Sequence, residues 1–381
     1  MDTTALQDSW KHVAKSGDEV PLFFYSHLFL SHPEVREMFP ISMAAQRDKL
    51  VTALGAVVSN VDNIDAVVPV LQQLGRDHRR FGAMAEHYPA VGASLLATLQ
   101  YFLGPQWTEQ LAADWAAAYG LVAKVMVQAA EEAEADSPAW WLADVLGIER
   151  RTMDVAVVQL RPQERYDYAP GQSFAMEIPQ RPRLWRYYSP ANAPREDGTI
   201  ELHVQLVAGG QVSTSMMRSL RAGDTVKIGA PVGDQLHHSE DDSRGILMVA
   251  GGTGLAPLRA ILEQIDRSWQ SSGGAPHVQL FHGVRMPWSL YEHDRLTALA
   301  HRPWFDYTPV VSDDSSYPGV RGLVGAVAAQ SPRREGSRAM VCGSGEMVSH
   351  TIGELTRAGT VHDDIRFDDF AKTGLGTGEM Q

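Results

Sequence analysis

Gln72-Gln73-Leu74-Gly75-Arg76-Asp77-His78-Arg79-Arg80-Phe81 is the stretch on which the interpretation of this 381-residue chain depends. It ends a helical pattern whose apolar residues share one face: Val67, Val70, Leu71 and Leu74. His78 follows Leu74 by four residues, so its imidazole points to the side on which that face lies. Most of the fourteen histidines need be no more than solvated or core side chains, but this placement suits a ligand.

Several residues upstream of His78 are of the types that surround a porphyrin. Gln46 and Leu50 are four apart, so one helix face carries a polar donor beside an apolar wall. Tyr25 lies mid-helix, where core packing and ligand contact are equally open interpretations. Phe39 is either an ordinary core aromatic or a ring that packs flat on a porphyrin. Because haem iron needs an imidazole on one side and an open position on the other, we predict haem b with His78 as the iron ligand.

The pattern of apolar residues changes along the chain and predicts three domains. Residues 1–136 keep helical spacing between short breaks, which predicts an all-α domain. A short connecting helix is predicted over residues 140–146. Residues 150–238 alternate with period two between Gly and Pro turns, which predicts an antiparallel β-barrel. Residues 243–381 alternate apolar runs with helical stretches, as in an α/β domain built on a parallel sheet.

Arg186-Tyr187-Tyr188-Ser189, within the predicted barrel, contains the residue types that a flavin needs. A flat ring system stacks on an aromatic such as Tyr188, and its reactive nitrogen takes a small hydroxyl such as Ser189. The planar guanidinium of Arg186 matches a pyrophosphate by bidentate geometry. Four residues are a weak motif alone, because an edge strand of ordinary aromatic content has the same pattern.

Gly251-Gly252-Thr253-Gly254-Leu255-Ala256-Pro257 follows an apolar run and begins a helical one. Glycines at such a turn let the backbone approach a pyrophosphate at a helix N-terminus. We therefore predict that Gly252, Thr253, Gly254 and Pro257 bind a nicotinamide coenzyme.

The first 135 residues resemble the globin domain of bacterial flavohaemoglobins. The matching stretches are Phe24-Tyr25, His32-Pro33-Glu34, Glu37-Met38-Phe39, Gln46-Arg47, His78 and Glu86-His87-Tyr88-Pro89-Ala90-Val91-Gly92. The resemblance implies that His78 is the proximal ligand, that Tyr25 and Gln46 are the distal hydrogen-bonding pair and that Leu50 restricts the pocket. It also implies that Tyr88 orients His78, which would increase the basicity of the imidazole.

The second half resembles the ferredoxin-reductase-like module of the same family, with Arg186, Tyr188 and Ser189 as its Arg-x-Tyr-Ser motif. The resemblance implies that Gly210 through Ser213 meet the FAD phosphates, that Cys342-Gly343 lies beside the nicotinamide and that Phe370 covers the flavin ring. A small buried hydrophobe is an equally good interpretation of Cys342.

Some positions depart from the family pattern. The glutamate of the last globin helix aligns with Ala130, and Glu131 is one residue, or about 100° of helix, away from it. Asp77 stands where the family tends to have lysine. In Ser312-Asp313-Asp314, acidic residues occupy the position at which NADP-selective relatives carry a basic residue that binds the 2′-phosphate. Acidic residues would repel this phosphate, so we predict NADH rather than NADPH.

Composition limits the function classes. The net charge of −13 disfavours nucleic acid and anionic membrane surfaces as partners. The single cysteine excludes an intrachain disulfide, and the N-terminal residues lack signal-peptide features, so we expect a cytoplasmic protein without a membrane span.

The family resemblance implies an enzyme that uses NADH, FAD and haem to convert nitric oxide and dioxygen to nitrate. Two alternatives stay open: a gas sensor or carrier with a built-in reductase, and a haem oxidoreductase for another nitrogen-containing substrate.

Overall fold

The computed structural model of the chain describes residues 1–239, 242–332 and 336–368. The chain divides into two compact units, the first spanning Met1–Trp140 and the second beginning at Trp141. The predicted domain boundaries, 1–136, 150–238 and 243–381, stay a prediction. No helix in the described ranges is long and apolar enough to cross a membrane.

The first unit is helical. Its α-helices are α1 (Thr3–Val13), α2 (Glu19–Ser31), α3 (Ala44–Ser59), α4 (Ile64–His78), α5 (Tyr88–Leu103) and α6 (Glu109–Asp136). Pro33 begins a 3-10 helix, Pro33–Met38, where its missing N–H costs no hydrogen bond. The core includes the almost fully buried side chains Leu6, Leu28 and Leu99. The first unit therefore matches the predicted all-α domain.

A close approach between α4 and α6 fixes the position of the helix that ends at His78. A Cβ atom added at Gly75 would lie 2.2 Å from the carbonyl oxygen of Met126. Real Cβ contacts do not reach this distance, so only glycine lets α4 lie this close to α6.

An antiparallel barrel begins the second unit. Its elements are β1 (Trp141–Arg150), β2 (Val155–Pro162), β3 (Phe174–Glu177), β4 (Arg186–Tyr188), β5 (Ile200–Gln205), α7 (Gln211–Arg218) and β6 (Thr225–Ile228). The strand order is β4-β3-β6-β1-β2-β5. An isolated bridge between Pro190 and Leu202 joins the two ends, so the barrel is nearly closed. The predicted barrel is confirmed.

The connecting helix predicted over residues 140–146 is wrong, because residues 141–146 belong to β1. Ala143 and Val145 are buried in the barrel core, whereas Leu142 is exposed and Asp144 is only partly buried. This alternation has the strand period of two. β1 pairs with β2 on one side and with β6 on the other, so hydrogen bonds to distant strands override the helical tendency of this stretch.

A parallel sheet with crossover helices follows, as predicted. Its elements are β7 (Ile246–Gly251), α8 (Leu255–Ser272), β8 (Val278–Val284), α9 (His293–Leu299), β9 (Phe305–Val311), β10 (Val320–Arg321), α10 (Val324–Gln330), β11 (Arg338–Cys342), α11 (Gly345–Arg357) and β12 (Ile365–Phe367). The strand order is β10-β9-β8-β7-β11-β12.

The strand order reverses next to β7. The chain adds β8, β9 and β10 on one side of this strand and then crosses to β11 on the other. In such sheets, ligands bind in the crevice outside the carboxyl ends of the strands at this switch point. The glycine-rich turn after β7 and the Cys342-Gly343 turn after β11 therefore meet at the edge where a ligand is expected.

Candidate functional site

His78 has the bonding pattern of an iron ligand. It is the last residue of α4, and its Nδ1 lies 2.7 Å from the Leu74 carbonyl oxygen. A carbonyl only accepts, so Nδ1 carries the proton and Nε2 carries the lone pair that a metal needs. Burial lowers the pKa of His78, which keeps the imidazole neutral. A single neutral imidazole with its other nitrogen fixed fits haem.

Asp77 is held by a hydrogen bond within α4 and by an ion pair with the turn that follows this helix. Its carboxylate forms an ion pair with Arg80 at 3.2 Å and accepts a hydrogen bond from the Gln73 amide at 3.2 Å. The family's lysine at this position is thus replaced by a carboxylate whose charge Arg80 balances.

Tyr25, Gln46, Phe39 and Leu50, all predicted pocket residues, meet in the α2–α3 core. Tyr25 is 6% exposed, and its hydroxyl donates to the Gln46 main-chain carbonyl at 3.3 Å. Its ring centroid lies 5.6 Å from that of Phe39 in an edge-on contact, and Leu50 packs against the same cluster. Burial raises the pKa of Tyr25, so the phenol stays protonated and remains a donor at neutral pH.

Tyr88 is the first residue of α5, and its phenol pKa is raised by burial. Its main-chain carbonyl accepts a 2.7 Å hydrogen bond from the hydroxyl of Tyr119 on α6. Tyr119 was not among the predicted site residues. Its ring packs on Gly92, where an added Cβ would lie 2.6 Å from Cε1. The sequence signal for this contact is Gly92, a glycine within a helix, and a glycine alone does not identify Tyr119 as the residue that packs on it.

Glu131, the nearest acidic residue to the family's glutamate position, is exposed on α6. Ala130, which stands at that position, has no polar side-chain group. The Nδ1 hydrogen bond of His78 goes to the neutral Leu74 carbonyl.

The flavin motif lies on β4, which pairs with β3 through Tyr188 and Phe174. Tyr188 is 5% exposed, and its hydroxyl lies 3.2 Å from the Met216 sulfur. Arg186 donates to the Trp185 carbonyl at 3.0 Å. Ser189 follows the strand and is partly buried.

The Gly210–Ser213 segment begins α7, but its serine hydroxyl is used within the loop. Ser213 is fully buried, and its Oγ accepts a 3.2 Å hydrogen bond from the Val207 N–H. Gly209 has φ +79°, and a Cβ there would meet open space. The groups that remain to face a phosphate are the N–H groups of the first turn of α7.

The turns after β7 and β11 touch through their glycines. A Cβ at Gly254 would lie 2.4 Å from the Cys342 carbonyl oxygen, and one at Gly343 would lie 2.7 Å from the Met347 sulfur. Gly252 has φ +52°, and Pro257 is buried in the first turn of α8. These contacts bring Gly252, Thr253 and Gly254 to the crevice beside Cys342 and Gly343.

Cys342 is 1% exposed, and burial raises its pKa well above the ordinary thiol value. A protonated, buried thiol agrees with the interpretation of Cys342 as a small core residue. Phe370, predicted to cover the flavin, lies outside the described residues, as does Asp369; the last described strand is β12.

A buried ionic cluster between barrel and sheet was missed by the sequence analysis. Glu201 on β5 is 4% exposed and lies 3.2 Å from Arg259 on α8 and 3.5 Å from Arg295 on α9. Arg259 also contacts Glu292 at 3.0 Å. Burial alone would raise the pKa of Glu201, but the His203 hydrogen bond and the Arg259 charge lower it to about 2. Residues this far apart in sequence give no local signal of pairing.

At the outer end of the same crevice, Asp313 is paired with Arg285. Its carboxylate lies 2.7 Å from the Arg285 Nε and accepts a 2.6 Å hydrogen bond from Ser312. The hydrogen bond from Ser312 and the Arg285 contacts lower the pKa of Asp313.

Comparisons with known proteins match all three parts. The Globin family matches residues 22–126, the oxidoreductase FAD-binding domain matches residues 146–237 and the oxidoreductase NAD-binding domain matches residues 248–352. The flavohemoprotein of Halalkalibacterium halodurans is 28% identical over 295 residues, which cover 70% of this chain and 71% of the relative. The chain spans about two thirds of the length of the curated relatives it matches.

Two solved structures share the fold. The flavohemoglobin of Malassezia yamatoensis, crystallised with bound FAD and heme, has a TM-score of 0.75 at 15% identity and covers 96% of this chain and 97% of its own. The FAD/NAD-binding domain of nitric oxide dioxygenase from Vibrio cholerae has a TM-score of 0.51 at 18% identity, covering 60% of this chain and 98% of its own.

Fold and site define a class of protein: a globin joined to an FAD- and NAD-binding oxidoreductase module. The haem, FAD and nicotinamide coenzyme predicted from the sequence are the cofactors of this class. Within that class, the chain is most simply compared with the flavohemoproteins, to which it is similar in sequence and in fold.

Proposed function

We propose that this protein is a cytoplasmic, NADH-dependent nitric oxide dioxygenase. The observation that carries the proposal is the Tyr25 phenol, which is buried, protonated and next to Gln46 in an aromatic pocket. A carrier needs only slow re-reduction, whereas this chain contains a complete reductase module. The neighbour from Vibrio cholerae named as a nitric oxide dioxygenase supports the same reaction.

The protein residues have distinct roles in this proposal. When bound, haem and FAD would supply the redox chemistry that connects NADH to the oxidation of nitric oxide by dioxygen. His78 would hold the iron through Nε2, because its Nδ1–H donates to the Leu74 carbonyl. The Tyr25 O–H, which donates to the Gln46 carbonyl in this structure, would turn from it to donate to developing negative charge, and the rings of Phe29 and Phe39 exclude water around it.

Nitrate yield per NADH tests the reaction. Each nitrate formed from nitric oxide and dioxygen takes up one electron, and each NADH provides two. Purified protein supplied with air and nitric oxide should therefore form two nitrates per NADH consumed. A protein that binds gas without steady NADH loss would be a sensor or carrier, and NADH loss without nitrate would indicate another substrate.

Replacing Tyr25 with phenylalanine tests the distal role. Loss of a hydrogen bond to a charged group corresponds to about 1.5–3 kcal/mol, so nitrate formation should fall about 10- to 100-fold. The haem absorbance and the rate of ferricyanide reduction by NADH should not change, since neither depends on the distal phenol. His78→Ala is the matched proximal control and should abolish the Soret band. Full nitrate formation by Tyr25→Phe would exclude the phenol from the reaction.

A further inference from the structure

His282 is a fully buried histidine that the roles assigned above do not use. It lies on β8, in register with Ala250 on β7, and is 0% exposed. Its Nε2 lies 3.0 Å from the Gly252 carbonyl oxygen. Because that oxygen only accepts, Nε2 carries the proton and donates it. Burial lowers the pKa of His282 to about 4, so the ring is neutral at physiological pH.

The Gly252 carbonyl is held from two directions. The second donor is the main-chain N–H of Leu255, at the start of α8. No cis peptide bond occurs in the described residues, so the Gly252–Thr253 peptide is trans and its C=O and N–H point in opposite directions. Fixing the carbonyl towards His282 therefore directs the Thr253 N–H away from the sheet. The φ of +52° at Gly252 is part of the same turn geometry and favours glycine.

Ring contacts and hydrogen bonds of Tyr291 connect His282 to the barrel. The Tyr291 ring is perpendicular to His282 at 5.9 Å and to His203 of β5 at 5.0 Å. The Tyr291 hydroxyl lies 2.8 Å from His203 Nδ1, and His203 Nε2 lies 3.4 Å from the Glu201 carboxylate. A neutral His203 that donates to Glu201 has Nδ1 as an acceptor, so Tyr291 is the donor to it.

We propose that His282 is a positioning residue for the nicotinamide coenzyme. Its Nε2–H holds the Gly252 carbonyl inward, so that the Thr253 N–H faces the coenzyme pyrophosphate in the crevice outside β7. This role rests on the part of the proposed function in which NADH binds at the glycine-rich turn, but it does not rest on nitric oxide as substrate.

Methionine and glutamine at position 282 form a matched pair of variants. Both are unbranched and similar in volume, but only His282→Gln keeps a donor near the position of Nε2. The full-length protein with haem and FAD is used, and far-UV circular dichroism and cofactor content serve as folding controls. NAD⁺ binding is measured by calorimetry, and NADH oxidation is measured with ferricyanide, which takes electrons at the flavin. Neither measurement uses nitric oxide, so a failed nitrate assay would not affect the test of His282.

We expect His282→Met to raise the Kd for NAD⁺ and the KM for NADH about three- to tenfold, the range for one lost hydrogen bond. The kcat should stay within about twofold, and His282→Gln should bind NAD⁺ as the wild type does. Wild-type affinity in His282→Met, or an equal loss in both variants with full FAD content, would overturn the proposal.

Hydrogen exchange on the wild-type protein provides a test that needs no variant. Leu255 is the first residue of α8, and its N–H bonds back to the turn, so the Thr253 N–H precedes the hydrogen bonds of the helix. Saturating NAD⁺ should slow exchange in peptides that cover residues 251–256. Unchanged exchange there would overturn the proposal even if His282→Met failed to fold.

Discussion

At the residue scale, we expect the preference for NADH or NADPH to depend on the side chains of Asp313 and Arg285. Asp313 follows β9, and Arg285 follows the neighbouring strand β8, so the two meet at the carboxyl edge of the sheet. A carboxylate at this edge suits a ribose hydroxyl, whereas a guanidinium suits a 2′-phosphate. Asp313 is the group that keeps the guanidinium of Arg285 occupied.

Replacing Asp313 with serine should therefore shift preference towards NADPH. The substitution removes a repelling charge and releases Arg285 for the 2′-phosphate, so the KM for NADPH should fall by about tenfold relative to that for NADH. Asp314→Ser is the matched control, because Asp314 bonds Ser316 instead. Ferricyanide reduction with each coenzyme provides the measurement, and a wild-type preference for NADPH would refute the prediction of NADH use.

Some site residues were predictable because their neighbours in sequence define them. His78 was assigned from the helical face before it, and the Leu74 hydrogen bond belongs to that same helix. Tyr119 and His282 were not predicted, because their partners, Tyr88 and Gly252, are about thirty residues away in sequence. Ser213 was predicted as a phosphate contact, but its hydroxyl accepts from Val207 within its own loop.

At the scale of elements, the crossing of α4 on α6 positions His78, the proposed haem ligand. Gly75 allows this contact, and His78 lies three residues further along α4. A side chain at position 75 would push α4 away from α6 and move the imidazole with it. Gly120, also within a helix, has no atom within 4 Å of an added Cβ.

The two glycines should thus respond in opposite ways to alanine. Gly75→Ala should lower the free energy of unfolding of the helical unit by about 1–3 kcal/mol, as overpacking does, and reduce haem content. Gly120→Ala should raise the same free energy by up to about 1 kcal/mol, because alanine favours the helix. Loss of the Soret band during urea titration reports on this unit. Equal stability of the two variants would show that the close approach is not limiting.

Pattern alone identified most elements but not β1. Residues 140–146 have a composition that a helix or a strand can accept. The hydrogen bonds to β2 and β6 decide between them, and these partners lie further along the chain.

At the scale of the whole molecule, buried neutral histidines make the reductase unit sensitive to acid. Burial lowers the pKa of His203, and it lowers that of His282 to about 4, whereas the unfolded value is 6.5. Between these pH values the unfolded chain binds more protons than the folded one. The contribution of the neutral histidines to the free energy of unfolding is therefore complete above pH 6.5 and is lost as the pH falls towards 4. Glu201, with a folded-state pKa of about 2, adds a second loss only below about pH 4.5.

We expect the Tm of this unit, followed by flavin fluorescence, to fall between pH 7.5 and pH 5. The full His282 shift corresponds to about 3 kcal/mol by the conversion of 1.36 kcal/mol per pKa unit, and about 2 kcal/mol of it is lost by pH 5. His282→Gln carries no titrating ring and should show a weaker dependence on pH. A flat Tm over this range, or the same slope in the variant, would contradict the assignment.

The sequence by itself determined the order of the three fold types and predicted the iron ligand and the flavin and coenzyme turns, because these features depend on periodicity and on residues within a few positions of each other. Only the tertiary structure decided that β1 is a strand and that Glu201 pairs with arginines of the α/β part. Both depend on hydrogen bonds or charges between segments far apart in the chain, and burial and these charges together set the protonation state of Glu201.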